Sequence, residues 1–200
     1  MWAAAYWEPR ASGRVISSRR NRILVEALSI YDPERDREAR FHFGPDTGAT
    51  ARAYLAMTKW LLGEVGPARA LIEEALAQAI ETRHVPTLVV TYFFKANFEM
   101  VRGDVGAVRR DEEIVVELSQ ENALTLYAAN GALQSAWAST RRDGCETGAT
   151  ALRQALAALT DQGPKNFVPF YQGLLAEIEA QGDAEGALTR IDEALQHVPT

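Results

Sequence analysis

Apolar residues recur along most of this chain at intervals of three and four, the period of a helix with one buried face. After Gly63 the stripe is Ala68, Leu71, Ile72, Ala75, Leu76, Ala79 and Ile80. Equivalent stripes run through Ala151, Leu152, Ala155, Leu156 and Leu159, and through Ala187, Leu188, Ile191, Ala194 and Leu195. A fourth stretch, with Val108, Ile114, Val115 and Leu118, is interrupted by Asp111 and Glu112 and is the weakest of the set. Each of these helices follows a glycine, and Gly63, Gly103, Gly144 and Gly182 stand 40, 41 and 38 residues apart. A self-similar period of that size is the signature of a helical solenoid whose unit is one helix pair.

The stretch before each glycine predicts a second helix. Residues 47–62 run through Ala51, Tyr54, Leu55, Thr58 and Leu62, with Asp46 or Thr47 as N-cap. Residues 86–102 begin on a proline, which the first helical turn tolerates because it needs no backbone N–H there. Their Leu88–Phe94 segment is apolar and β-branched enough to be a strand, but the pattern continues through Phe98 and Val101 and the period demands a helix. Residues 123–141 and 165–180, the latter after Gly163-Pro164, complete the set. The predicted fold is therefore all-α, a right-handed α-solenoid of antiparallel helix pairs with about four repeats of roughly 40 residues over positions 46–200. Residues 23–45 are expected to form a partial upstream repeat and loop, in which 23–31 is a second helix without its first.

Small residues fall where paired helices approach closely. Gly63 with Ala68 and Ala75, and Gly182 with Ala187 and Ala194, share their spacings. This resembles the tetratricopeptide pattern, in which a glycine at the inter-helix turn precedes an alanine and then an Ala-Leu pair. Ala75-Leu76 and Ala194-Leu195 match it, Ala155-Leu156 matches with a slip of one, and the second repeat departs with Val108 and Val115. All four units exceed the usual repeat of about 34 residues, so the resemblance is to long-helix relatives of the motif.

A wider resemblance rests on Leu28-Ser29-Ile30-Tyr31-Asp32-Pro33-Glu34-Arg35-Asp36, Phe43-Gly44-Pro45-Asp46-Thr47-Gly48 and Thr58-Lys59-Trp60-Leu61-Leu62-Gly63. It continues through Tyr92-Phe93-Phe94-Lys95-Ala96 and Gly173-Leu174-Leu175-Ala176-Glu177-Ile178-Glu179-Ala180-Gln181-Gly182. From Leu28 to Leu195 the chain resembles the C-terminal helical-repeat region of bacterial class III adenylate/guanylate cyclase proteins that also carry an ATPase module. That resemblance implies a regulatory arm in signalling and is silent about catalysis. With no first helix before residue 23 and no polar capping helix before Thr200, the sequence predicts a fragment, or a chain that self-associates through uncapped ends.

Composition narrows the partners. The chain has 200 residues, 47% hydrophobic and 24% charged, with a formal net charge of −6. That balance gives no reason to expect nucleic acid or an anionic membrane as a partner. One cysteine, Cys145, excludes an internal disulfide and fits a free thiol in the cytoplasm. The first 22 residues differ, with Arg10, Arg14, Arg19, Arg20 and Arg22 against Glu8 alone. A basic, poorly ordered leader, or a start site placed in unrelated sequence, fits them better than a targeting or nucleic-acid-binding arm.

Chemistry is not legible. No Gly-x4-Gly-Lys-Ser/Thr is present, and the strands of a cyclase domain are missing. His42, His84 and His197 fall in loops or at helix ends without partners at metal-ligand spacing. Glu73-Glu74 and Glu112-Glu113 are expected on outward, wet helix faces. The chain is therefore expected to be no enzyme, to need no cofactor or metal, and to work by recognition. Its partner is expected to be a protein, a peptide or a neighbouring domain. The tetratricopeptide resemblance implies a groove lined by the first helix of each pair, and by position Asn97, Gln134, Arg141, Gln172 and Glu179 are its candidate contacts. Tyr92, Phe93 and Phe94 are expected in the core.

Overall fold

The computed structural model describes residues 13–36, 38, 42, 44–142, 145–162, 167–180 and 184–196. The punctuation at Gly144 and Gly182, the Gly163-Pro164 turn and His197 lie outside the described residues, as does the chain before Gly13. The helices are α1 (Gly13–Ile30), α2 (Thr47–Leu61), α3 (Val65–Thr82), α4 (Val85–Arg102) and α5 (Val105–Glu121). They continue as α6 (Thr125–Arg142), α7 (Cys145–Gln162), α8 (Val168–Glu179) and α9 (Ala184–Gln196). Among the described residues there is no strand.

The apolar Leu88–Phe94 segment is helical, within α4. Thr87, Val89, Val90, Thr91, Phe93 and Phe94 are all buried, so packing on several sides overrides the weak helix propensity of the β-branched run. Thr91 Oγ1 donates to Thr87 O at 2.8 Å, which satisfies its buried hydroxyl within the helix. Asp46 is the N-cap of α2 and accepts from Ala49 N at 2.9 Å; Asp104 caps α5 in the same way through Ala107 N at 2.9 Å. Gly63 and Gly103 end α2 and α4 with φ of 82° and 77°, a conformation that suits glycine alone. One boundary shifts. α1 begins at Gly13, inside the stretch expected to be leader.

Each helix packs on its neighbour in sequence, and the short described turns from α2 through α6 make those neighbours antiparallel. A second relation is one-sided. α2 packs on α4, α4 on α6 and α6 on α8, whereas the corresponding pairs among α3, α5, α7 and α9 make little contact. The described helices thus fall into an inner row of α2, α4, α6 and α8, in mutual contact, and an outer row of α3, α5, α7 and α9.

Two apolar clusters fill the space between the rows. One joins α2, α3 and α4 around Ile72, Val89 and Phe98. The other joins α6, α7 and α8 around Trp137, Leu152 and Leu174, and takes in Met100 of α4 and Val108 of α5.

The break in the α5 stripe has a structural explanation that corrects one expectation. Glu112, expected on an outward face, is buried, and so is Asp111 beside it. α5 lies between α4 and α6, so more of its circumference is covered than a single stripe implies. Asp111 pairs with Lys95 of α4 at 2.5 Å, and Glu112 bonds to Ser135 of α6. Glu73, Glu74 and Glu113 are exposed, as expected of a wet face.

Candidate functional site

The inner row changes character along its length. Toward α8 its helices close on themselves through long side chains. Gln134 Nε2 of α6 donates to Asn97 Oδ1 of α4 at 3.0 Å and to Phe93 O at 3.0 Å. Tyr171 of α8 donates its hydroxyl to the same Asn97 Oδ1 at 3.0 Å. All three residues are fully buried. Burial pushes the Tyr171 hydroxyl far above its usual pKa, with Asn97 and Gln134 partly opposing the shift. Phe167, just before α8, sets its ring edge-on to Phe93 and Phe94 with centroids 5.0 and 5.7 Å away.

These contacts settle the positions of the candidate groove residues. Asn97 and Gln134 do not line an open groove; α8 reaches across α6 to α4 and buries them. Arg141 lies at the surface, paired with Glu177 of α8 at 3.0 Å, its guanidinium 5.5 Å from the Trp137 ring centroid. Glu179 is held by Arg153 of α7 at 2.7 Å and Arg190 of α9 at 2.6 Å, so its carboxylate ties three helices together. Gln172 is half-buried, and its Oε1 is enclosed without a hydrogen-bond partner among the described residues. Asn97 and Gln134 therefore belong to a buried network, Arg141 and Glu179 to inter-helix ion pairs, and Gln172 to neither.

The other end of the inner row is open. A cleft of about 410 Å³ is lined by Thr50, Ala51 and Tyr54 of α2, Val90 and Phe94 of α4, Tyr127 of α6 and Leu24 of α1. Pro45 and Thr47 complete its rim. Positions 47, 50, 51 and 54 share one face of α2, and 90 and 94 one face of α4, so helical spacing alone puts these side chains together. Tyr54 stacks edge-on against Phe94 at 4.4 Å between centroids yet remains 38% exposed. Phe93 carries the contact on to Tyr127 at 5.8 Å. Burial raises the pKa of both tyrosine hydroxyls, so they are neutral donors at physiological pH. The sequence signal for this cleft is Tyr54 and Phe94, each nine residues before the glycine that ends its helix; Tyr127, in the first turn of α6, shares no such position and joins them only through the packing. Phe93 and Phe94 are buried, as core packing requires, and Phe94 also faces the cleft.

A polar latch fixes the α1 wall. Tyr31, just past α1, packs its ring over Gly48, whose missing side chain leaves room for it. Its hydroxyl donates to Asp46, 3.1 Å from Oδ2, and accepts from Gln78 Nε2 of α3 at 2.6 Å. Burial, reinforced by the Asp46 carboxylate, pushes the Tyr31 pKa up to about 12. Asp46 N in turn donates to Thr87 Oγ1 of α4 at 2.8 Å, and His84 Nδ1 lies 2.8 Å from the same hydroxyl. One node thus joins the end of α1 to α2, α3 and α4.

Among the described residues no group of three or more His, Cys, Asp or Glu is placed to hold a metal ion, and no helix is long and apolar enough to cross a membrane. Compared with protein-family models, with curated proteins and with solved structures, the chain matches none.

Proposed function

We propose that this chain is a non-catalytic scaffold for protein–protein interaction, a right-handed α-solenoid of tetratricopeptide-like helix pairs that receives a segment of a partner protein on its inner row. The carrying observation is the open, aromatic cleft at the α2–α4–α6 end, beside the closed α4–α8 end. Such a cleft offers what peptide recognition uses: rigid aromatic side chains on helices and hydroxyl donors at the edge. The partner is a protein or peptide, and neither a cofactor nor a metal is required.

A photoreactive benzoylphenylalanine in place of Tyr54, against the same group in place of the exposed Glu73 on the outer row, tests this function in cells. The scaffold function expects discrete protein adducts from position 54 and few from position 73. Equal labelling from both positions, or none from 54, overturns it.

A second function draws on exposed apolar surface at the two ends. Ile23 and Ile30 on α1 and Leu188 on α9 are 54%, 62% and 63% exposed. A neighbouring domain or a second copy would cover them, as in a regulatory arm detached from a cyclase/ATPase signalling protein. Light scattering of the purified chain over a concentration series tests it. Association that Ile30→Lys and Leu188→Lys relieve together supports the arm, and a monomer at every concentration counts against it.

A further inference from the structure

The lining of the cleft restricts what can fill it. None of its lining residues is charged, and Leu24, Tyr54, Phe94 and Tyr127 present apolar and aromatic surface. A charged group seated there would give up water and gain no ion pair. An aromatic side chain gains apolar burial and edge-to-face ring contact together. At about 410 Å³ the cleft has room for roughly two such side chains.

The chain carries a segment of that chemistry beside the cleft. Met1-Trp2-Ala3-Ala4-Ala5-Tyr6-Trp7 has no charged side chain and holds two of the four tryptophans. The other two, Trp60 and Trp137, already pack in the two apolar clusters. The segment leads into α1, the helix that supplies Leu24 to the cleft wall. Tyr31 packs at Gly48 and Arg20 acts on the Tyr54 hydroxyl, so α1 runs antiparallel to α2 and passes Tyr54 on its way from Gly13. Leu24 stands eleven residues along α1, about 16 Å from its start. Trp7 is six residues from Gly13, a reach of about 20 Å, and Trp2 is eleven, a reach of about 36 Å. Both tryptophans therefore reach the cleft if the chain turns back along α1.

We propose that this chain's own residues 1–7 occupy the cleft, with Trp2 and Trp7 against Tyr54, Phe94 and Tyr127, and that a partner takes the cleft by displacing them. The inference rests on the scaffold function proposed above and adds its regulation. A short tether holds the segment at an effective concentration on the order of millimolar, so a contact too weak to join two chains still fills the cleft within one. Occupation lowers a partner's apparent affinity by the fraction of chains left open. The partner segment best able to compete presents the same chemistry, aromatic side chains on an uncharged stretch.

The test places benzoylphenylalanine at Tyr54 or, as a control, at Glu73 in the purified full chain. The chain is diluted, mixed with nitrogen-15-labelled chain that lacks the probe, and irradiated, and the adducts are mapped by mass spectrometry. Adducts from position 54 to residues 1–7 of the same chain, with few from position 73, are the expected result. Absence of those adducts, adducts that only bridge two chains, or equal labelling from position 73 overturns the proposal. In cells, Trp2→Ala with Trp7→Ala, which leaves every helix contact described above in place, is expected to raise partner adducts from position 54 on the order of tenfold. An unchanged yield of partner adducts overturns the displacement. Adducts to residues 1–7 with no partner adduct in either variant leave the occupied cleft standing and overturn the scaffold function instead. Partner adducts from position 54 with none to residues 1–7 do the reverse.

Discussion

Two glycines allow helices and rings to approach closely, and they differ in what a methyl group would strike. At Gly48 a Cβ would meet the Tyr31 ring, which rotates away at the cost of its bonds to Asp46 and Gln78. At Gly148 it would meet the backbone of Thr140, with N and Cα at 2.6 Å, and a helix backbone cannot turn aside. Gly48→Ala is therefore expected to destabilise by about 1 kcal/mol and Gly148→Ala by about 3 kcal/mol, measured by urea denaturation; the reverse order would contradict the packing described. Buried acids give a pH dependence. Burial holds the Glu112 carboxyl above the ordinary range, so the folded chain keeps its proton more tightly than the unfolded chain does. The associated stability is complete below the ordinary range and is lost as pH rises through the raised folded value. The melting temperature of Glu112→Gln is expected to gain on that of the parent between about pH 4 and neutrality. Tyr31 follows the same sign at the alkaline end, losing its contribution between pH 10 and about 12.

At the scale of helices, the inner row is pinned by Asn97 as the shared acceptor of Gln134 and Tyr171. Asn97→Ala leaves a buried hydroxyl and a buried amide short of a partner, and is expected to cost about 3 kcal/mol; Tyr171→Phe removes a single donor and is expected to cost about 1 kcal/mol. Equal losses in chemical denaturation would mean that Asn97 is not the hub. The helices themselves were legible in the sequence because their determinants are local: the stripe of α3, the Asp46 cap and the glycines at 63 and 103. The expected groove residues were not. Asn97 and Gln134 are polar residues on first helices, which is how groove contacts look in a sequence. They are buried by Tyr171, 74 residues beyond Asn97, and no local pattern reports a contact at that range. Glu112 was missed for a related reason. A period shows which face of a helix is apolar, not that neighbours on two sides cover the polar flank as well.

For the molecule as a whole, the two apolar clusters meet mainly along α4, α5 and Phe167, so the halves are only partly independent. Phe167 presses against both Phe93 and Phe94. Phe167→Ala is expected to broaden thermal unfolding into two transitions, with hydrogen exchange protection falling around α7–α9 before α2–α4. A single sharp transition in that variant would show that the halves are coupled elsewhere. The closed end of the inner row also bears on how the chain reaches this state. Adjacent helices can pair as soon as a short turn forms, within microseconds by the usual rates of helix and loop formation. The Tyr171 hydroxyl and the Phe167 ring must instead find α4 across a loop of more than seventy residues, and the entropy of closing it is compensated only after α6 is already in place. The α8 end is therefore expected to join last, and pulsed hydrogen exchange during refolding should protect α2–α4 before α8; simultaneous protection would contradict that order.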